Sequence, residues 1–262
     1  MVFIYRQEIL KDVSLFTSQP KAKFYDELFI NLDLSCIPTQ NSKFGRASYS
    51  NHSMICAFIV MKCEGFSHIS DLHDYLSNNL IIAHYCGFDI SRELPSYAKF
   101  TRFIREFDND MFQTIMQSLM LKAADLSLID LSFIALDATL VKANVSNNNP
   151  RLGVQTASNQ RNEKNYEFYW GYKNHILVDC ISGLPICELT TGANVSDSSV
   201  TLEILKKANS FLPLAECSFL ADKTYDVKVI YNTVHDTYNG DCFIDCCPCN
   251  HKCWNNDKKN RG

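Results

Sequence analysis

The sequence has no long run of hydrophobic residues. Its most apolar early window, MICAFIVM at 54–61, is followed by Lys62 and Glu64. That window is much shorter than the roughly 20 apolar residues of a membrane-spanning helix. The first residues, MVFIYRQEILKD, lack the basic start, long apolar core and small-residue cleavage site of a signal peptide. We therefore expect a cytoplasmic protein with no membrane partner.

The sequence also lacks an excess of charge of either sign. It contains 25 Lys and Arg residues against 29 Asp and Glu residues, for a formal net charge of -4. Modules that bind nucleic acid through overall charge are usually basic, so this composition excludes that mode. Any nucleic-acid binding must depend on a local basic patch or a metal site. Hydrophobic residues make up 46% of the chain and aromatic residues 12%, which predicts a well-filled globular core.

Disulfide and zinc frameworks are both poorly supported. Seven of the twelve cysteines are scattered singly through apolar stretches such as MICAF and AHYCGF, where a thiol packs as a small hydrophobic group. The remaining five lie with His251 in CFIDCCPCNHKC, Cys242 to Cys253. This run lacks the two well-separated CxxC pairs of a typical structural zinc site. Reduced thiols are the favoured interpretation, and structural zinc is the alternative.

The first half of the chain shows no convincing strand pattern. Residues 1–40 form a weakly patterned lead-in that is broken by Pro20 and Pro38. Beyond it, helical spacing of apolar positions predicts helices in NHSMICAFIVMKCEG, SDLHDYLSNN, NLIIAHYCGF, YAKFTRFIREFD and DMFQTIMQSLMLKAADL. Ser96 is a candidate cap for the fourth of them. We expect an all-α domain over residues 41–128.

The pattern changes near Leu131. LSFIALDATLV, KNHILVDCISG, LPICELTTG, AECSFLAD and DCFIDCCP are predicted strands. SVTLEILKKANSFL, capped by Ser198 or Ser199, and TYDVKVIYNTVHDTYN are predicted helices. The order β-β-β-α-β-α-β is that of a ribonuclease H-like mixed sheet, so residues 129–250 are expected to form an α/β domain. The polar residues 144–165 are expected to be an insertion loop and residues 251–262 a polar tail.

Two acids end apolar strand patterns in this second half. Asp137 ends the apolar run of the first strand and Asp222 that of the fourth. The first and fourth strands are neighbours in a ribonuclease H-like sheet, so the carboxylates would meet at one edge. Carboxylates that lie so close repel each other unless a cation separates them. Hard oxygen ligands favour Mg²⁺ or Mn²⁺, although a turn residue or helix cap is the other interpretation of each acid.

Several motifs resemble bacterial DDE insertion-sequence transposases. ALDATLVKAN resembles the first catalytic motif of that family, and FLADKTYD resembles the second. YWGYKNHILVD followed by GLPICELTTGANVSDS resembles the block between them. HSMICAFIVMKCEGFSHISDLHDYL, HYCGFD and LPSYAKFTRFIREF resemble the helical N-terminal domain that contacts the element's terminal repeats. The resemblance runs from about residue 40 to about residue 250.

The resemblance implies DNA transposition by a mobile element. Its chemistry is metal-dependent strand cleavage by water, followed by attack of a freed 3′-hydroxyl on target DNA. Asp137 and Asp222 would be the catalytic, metal-binding carboxylates, with Mg²⁺ or Mn²⁺ as cofactor. Double-stranded DNA would be the partner, through the element ends and the target, and a homodimer is left open.

Two departures from the family pattern affect this expectation. Thr224 stands where the family usually has Gly, and no glutamate follows Glu216. The family's third acid is a Glu on a helix after the fifth strand, so we expect a truncated chain. Asp245 and Asp257 are poor substitutes for that Glu. The alternatives are a non-catalytic remnant or regulator that occupies terminal repeats, and a nuclease that uses Asp245.

Basic residues supply the candidate DNA contacts. Lys99, Arg102 and Arg105 recur at i, i+3 and i+6 on one predicted helix, which suits a phosphate-binding face. Lys173 and His175 alternate on a predicted strand near the acids and could contact phosphate. A solvated helix face and a strand-edge position are the respective alternatives. Aromatic residues that could stack on bases or pack under the insertion are Tyr166, Phe168, Tyr169, Trp170 and Tyr172.

Overall fold

The computed structural model describes residues 17–40, 49–143, 153–159 and 162–245. The chain divides into two compact units, residues 1–115 and 116–262. The division falls within a helix, whereas the sequence predicts a boundary after residue 128. Ile115 belongs to the core of the first unit, whereas Met120, on the same helix, belongs to that of the second.

The regular elements among the described residues of the first unit are all helices. Its helices are α1 (Pro20–Ile30), α2 (Asn51–Cys63), α3 (Ile69–Asn78), α4 (Leu80–Tyr85), α5 (Tyr97–Glu106) and the start of α6 (Asn109–Asp125). Helix α2 is apolar almost all round, as a central helix must be, and Ala57 and Val60 are fully buried. Leu72 and Leu76 of α3 share one buried face at i, i+4 spacing. Ser96 precedes α5 as predicted, but its side chain makes no capping hydrogen bond.

The second unit is built on a six-stranded mixed sheet. Its strands are β1 (Phe133–Lys142), β2 (Gly153–Asn159), β3 (Asn162–Asp179), β4 (Pro185–Gly192), β5 (Ser218–Ala221) and β6 (Asp241–Ile244). Strand β1 lies between β3, which is antiparallel to it, and β5, which is parallel to it. Strand β6 is parallel to β5 on its other side, and β2 and β4 both pair with β3. The predicted ribonuclease H-like α/β fold is confirmed, with one strand added.

The added strand corrects the prediction of an insertion loop over residues 144–165. Residues 153–159 form β2, which pairs with the first half of β3 as an antiparallel hairpin. The whole segment 144–165 is rich in Asn and Ser, which favour loops. Pairing with β3 orders residues 153–159 although the composition does not indicate a strand. Residues 144–152 lie outside the described part.

One face of the sheet carries the core of this unit. Ile134, Leu136 and Phe219 alternate along β1 and β5 and are almost completely buried. They share their cluster with apolar residues of α7 (Asp197–Asn209) and α8 (Lys228–Tyr238), including Ile204, Leu205, Ile230 and Val234. Burial against these two helices fixes the register, because a slip by one residue would turn these side chains outward.

Helix α7 begins earlier than its sequence predicts. Its N-cap is Ser196 rather than Ser198 or Ser199, and its first residue is Asp197. The hydroxyl of Ser199 donates to the carbonyl oxygen of Ser196 (2.6 Å), within the first turn. A carboxylate in the first turn interacts favourably with the helix dipole. The early start places Asp197 beside the sheet.

Candidate active site

The parallel register of β1 and β5 determines the position of the two predicted acids. Ala135 and Leu220 are the last paired residues of these two strands, and the same register continued by two residues would bring Asp137 beside Asp222. Adjacent strands are about 4.8 Å apart, so the two backbones would be neighbours at this edge in that register. Asp137 directly follows the buried Leu136, and both acids are exposed to solvent.

Local hydrogen bonds orient both carboxylates. Asp137 Oδ1 accepts from the backbone N–H of Ala138 (2.7 Å). Asp222 Oδ1 accepts from the backbone N–H of Thr224 (2.9 Å) and from the Thr224 hydroxyl. Asp222 therefore caps the 3₁₀ turn Lys223–Tyr225. Asp222 caps the turn and is also exposed at the sheet edge. The interpretations of Asp222 as a cap and as a candidate metal ligand are therefore compatible.

A third acid does not join this pair within the described residues. There, no three His, Cys, Asp or Glu side chains gather as a metal-binding group. Ala221 pairs with Ile244. One further step of this parallel register puts Asp245 beside Asp222, on the side away from Asp137. Two strand spacings separate the backbones of Asp137 and Asp245 by roughly 9–10 Å. The nuclease alternative that relies on Asp245 is therefore not supported, and Asp257 lies outside the described residues.

The structure buries Lys173 and His175, the two β3 residues predicted to contact DNA. Lys173 is 5% exposed, and its Nζ donates to Asp197 Oδ1 (2.8 Å) and to the Val195 carbonyl oxygen (3.0 Å). His175 is fully buried, and its Nε2 lies 2.9 Å from Thr191 Oγ1. Side chains in such positions do not reach a phosphate. In this conformation they support the interior behind the sheet edge instead of lining a DNA surface.

The charge state of His175 follows from its surroundings. Burial lowers the pKa of His175 below its ordinary value, and the neighbouring Lys173 charge lowers it further, while Asp197 opposes both. Asp197 Oδ1 lies 3.9 Å from His175 Nδ1, too far for a hydrogen bond. A neutral imidazole is consistent with the nearby buried Lys173–Asp197 ion pair.

Two residues near the acids were missed by sequence reasoning, Asp197 and Tyr225. Tyr225 ends the 3₁₀ turn that follows Asp222 and is 1% exposed. Burial raises the pKa of Tyr225 most, and the carboxylates of Asp197, Asp137 and Asp222 raise it further. Only the motifs FLADKTYD and GANVSDS contained a signal for them, because neither residue has a distinctive spacing of its own.

The predicted basic face of α5 is accessible. Lys99, Arg102 and Arg105 are all exposed, whereas Phe100 is buried in the core of the first unit. Arg102 Nε lies 4.0 Å from Glu106 Oε1, a marginal pair between exposed side chains. The three basic side chains are therefore presented to solvent along one helix.

The remaining predicted clusters are only partly described. Trp170 is 40% exposed and Tyr172 is half-buried, while the side chains of Tyr166, Phe168 and Tyr169 lie outside the described ones. Cys242 is a free, half-buried thiol. The other cysteines of the Cys242–Cys253 run, for which zinc binding was the alternative interpretation, lie outside the described residues.

The sheet order and the acid-bearing edge define the class of the second unit as ribonuclease H-like. Residues 129–242 match the family described as the transposase DDE domain. Through this segment, which is less than half of the chain, the sequence is similar to the DDE transposases that its motifs resemble. The match includes both Asp137 and Asp222.

Solved transposase structures resemble the chain weakly. A piggyBac transposase synaptic complex with hairpin DNA is 13% identical with a TM-score of 0.42, covering 90% of this chain and 50% of that chain. A Mos1 transposase paired-end complex with the left transposon end is 11% identical with a TM-score of 0.27, covering 90% and 68%. The chain thus spans half the length of the piggyBac chain. No curated protein matches it significantly.

A membrane-spanning helix is absent from the described part of the chain. None of the helices there is both long enough and apolar enough to cross a bilayer.

Proposed function

We propose that the chain acts as a DDE-type transposase whose Asp137 and Asp222 hold Mg²⁺ or Mn²⁺ for cleavage and transfer of the DNA of an insertion sequence. The observation that supports the proposal is the parallel register of β1 and β5, which pairs them as far as Ala135 and Leu220 and which would bring the two acids side by side if continued by two residues. Each acid is exposed and oriented by a backbone N–H. An all-oxygen donor pair is the set that these hard cations prefer.

The residues of the chain also fit such an ion in a second respect. Two adjacent carboxylates repel each other in the absence of a cation, so a cation between them would relieve that repulsion. When bound, a pair of divalent ions would activate the attacking oxygen and stabilise the leaving oxygen. Asp137 and Asp222 would orient the ions, while Lys173 and Asp197 hold the interior of the domain in place.

DNA binding is assigned to the first unit in this proposal. Lys99, Arg102 and Arg105 are exposed on α5, and basic side chains along a helix can neutralise successive phosphates. The near-neutral composition of the chain makes such a local face necessary. Double-stranded DNA, as element ends and target, is the proposed partner.

Nicking of supercoiled plasmid in the presence of Mn²⁺ tests this function. The chain should convert plasmid to the open circle, and both Asp137→Asn and Asp222→Asn should lose that activity. Asp241→Asn is the matched control and should nick normally. Asp241 is an exposed acid at the start of β6, where it pairs with Ser218 at the end of β5 away from Asp222. Equal nicking by all four proteins would contradict the proposal.

A second candidate function is a non-catalytic DNA-binding regulator that occupies the terminal repeats of the element. It is favoured by the lack of a third converging acid among the described residues. A chain that binds double-stranded DNA but never nicks plasmid, at any Mn²⁺ concentration, would support it.

A further inference from the structure

Thr224 contacts one oxygen of the Asp222 carboxylate with two donors. Its backbone N–H donates to Asp222 Oδ1 (2.9 Å), and its hydroxyl group donates to the same oxygen. The backbone N–H of Tyr225 donates to the carbonyl oxygen of Asp222 (3.1 Å), so all these contacts lie within one turn. Tyr225 ends that turn and is 1% exposed. Its packing in the core therefore holds the turn, and Thr224 with it, in place.

The two contacts make the oxygens of the Asp222 carboxylate unequal. An ionised carboxylate has about four acceptor sites, two on each oxygen. The two donors of Thr224 occupy the sites of Oδ1, whereas Oδ2 accepts no hydrogen bond from the described part of the chain. Rotation of the carboxylate would break both hydrogen bonds to Oδ1. Asp222 therefore presents a single free oxygen in a fixed orientation.

The Thr224 hydroxyl gives Asp222 a contact that Asp137 lacks. Asp137 Oδ1 accepts only from the backbone N–H of Ala138 (2.7 Å) among the described residues, so a single donor orients it. Position 224 is also where the family that the motifs resemble usually has Gly, which has no hydroxyl. The second donor to Asp222 is therefore a property of this chain and not of the family pattern.

We propose that Thr224 is a positioning residue of the metal centre, whose hydroxyl restricts Asp222 to one metal-binding oxygen and so favours Mg²⁺ or Mn²⁺ over Ca²⁺. The inference rests on the proposed function. Ca²⁺ takes roughly six to eight oxygen ligands and can bind both oxygens of one carboxylate, whereas Mg²⁺ is octahedral and keeps several waters. Mn²⁺ also suits octahedral oxygen sites. Hydrogen bonds to a metal-ligating carboxylate orient it and strengthen metal binding.

The test measures the binding of Mn²⁺ and of Ca²⁺ to the full chain, Thr224→Val and Thr224→Ser by calorimetry. Valine keeps the shape of threonine and the backbone N–H but lacks the hydroxyl, whereas serine keeps the hydroxyl. We expect Thr224→Val to bind Mn²⁺ about 10-fold more weakly. Its Ca²⁺ affinity should be nearly unchanged, because Oδ1 becomes available to Ca²⁺ as a second ligand. Thr224→Ser should retain both affinities of the parent chain.

Thr233→Val is the matched control. The Thr233 hydroxyl donates to the carbonyl oxygen of Val229 (2.8 Å) on α8 of the same unit, so this substitution also removes one hydroxyl hydrogen bond. It should change neither the Mn²⁺ affinity nor the Ca²⁺ affinity. A purely structural role for Thr224 predicts that Thr224→Val lowers the melting temperature in EDTA and keeps the parent's ratio of Mn²⁺ to Ca²⁺ affinity. An unchanged ratio, or a changed ratio that Thr224→Ser shares, would overturn the inference.

The outcomes separate this inference from the proposed function. If Asp137→Asn and Asp222→Asn abolish Mn²⁺ binding but Thr224→Val binds both ions as the parent chain does, the positioning role is wrong and the metal site stands. If the parent chain binds no Mn²⁺, both the metal site and the role of Thr224 are overturned.

Discussion

A lysine at position 173 is almost completely buried beside the sheet, and one carboxylate balances its charge. Lys173 Nζ lies 2.8 Å from Asp197 Oδ1, with side-chain exposures of 6% and 19%. Removing one partner of a buried pair leaves the other charge uncompensated, which is strongly destabilising. The pair joins β3 to the first turn of α7, so it connects the sheet to the helix that covers it.

Replacing Lys173 by Met should therefore destabilise the second unit by about 3 kcal/mol. The expected cause is the uncompensated Asp197 charge, so the double variant Lys173→Met/Asp197→Leu should recover much of the loss. Urea unfolding of the parent chain, both single variants and the double variant measures the coupling. A loss below about 1 kcal/mol for the single variant would show that the pair behaves as a surface salt bridge.

At the scale of elements, the long apolar patterns were predictable and the short or polar ones were not. FIALDATLV and SFLAD predicted β1 and β5, because alternation against a buried face leaves a clear pattern. The sequence does not predict the hairpin of β2 with β3, since most residues of β2 (GVQTASN) carry weak strand propensity and their pairing depends on the partner strand. The start of α7 was misplaced because several serines in SDSS are equally good caps.

The residues of the candidate site also divide into those that the sequence could predict and those that it could not. Asp137 and Asp222 each end an apolar strand pattern, so sequence alone could nominate them. The burial of Lys173 and His175 could not be predicted, because strand alternation assigns both residues to one face without saying which face is covered. Tyr225 and Asp197 become candidates only through the packing of α7 and the 3₁₀ turn against the sheet.

Strands β1 and β3 approach each other so closely at Gly171 that there is no room for a side chain there. A Cβ on Gly171 would lie 2.1 Å from the carbonyl oxygen of Val141, closer than any side chain tolerates. Gly171→Ala should thus force the strands apart and cost about 3 kcal/mol or more. Gly183→Ala is the control, because its Cβ would meet nothing within 4 Å and only its φ of +72° is strained, at about 1–2 kcal/mol. Equal losses in thermal unfolding would contradict this close approach.

At the scale of the whole molecule, the proposal separates DNA binding from chemistry. The composition is near neutral, so affinity for DNA should depend on the few exposed basic residues of α5. Substituting Lys99, Arg102 and Arg105 together by Ala should weaken binding to double-stranded DNA. It should also reduce the slope of log affinity against log salt by up to about 0.9 for each phosphate that is no longer neutralised.

Fluorescence anisotropy with a labelled duplex at several salt concentrations measures both effects. The control replaces Lys23, Lys62 and Arg92, three exposed basic residues of the same unit, and so makes the same change in net charge. The control should bind with nearly the parent slope. If both triple variants lose affinity equally, binding depends on net charge and not on the α5 face.

The most direct test of the central claim is calorimetric titration of Mn²⁺ into the chain, Asp137→Asn, Asp222→Asn and Asp245→Asn. The account predicts that the parent chain binds Mn²⁺ and that either of the first two substitutions abolishes binding. Asp245→Asn should bind normally, because its strand is separated from Asp137 by β5. A folded parent chain that binds no Mn²⁺, or acid substitutions at 137 and 222 that change nothing, would contradict the account and favour the non-catalytic DNA-binding function.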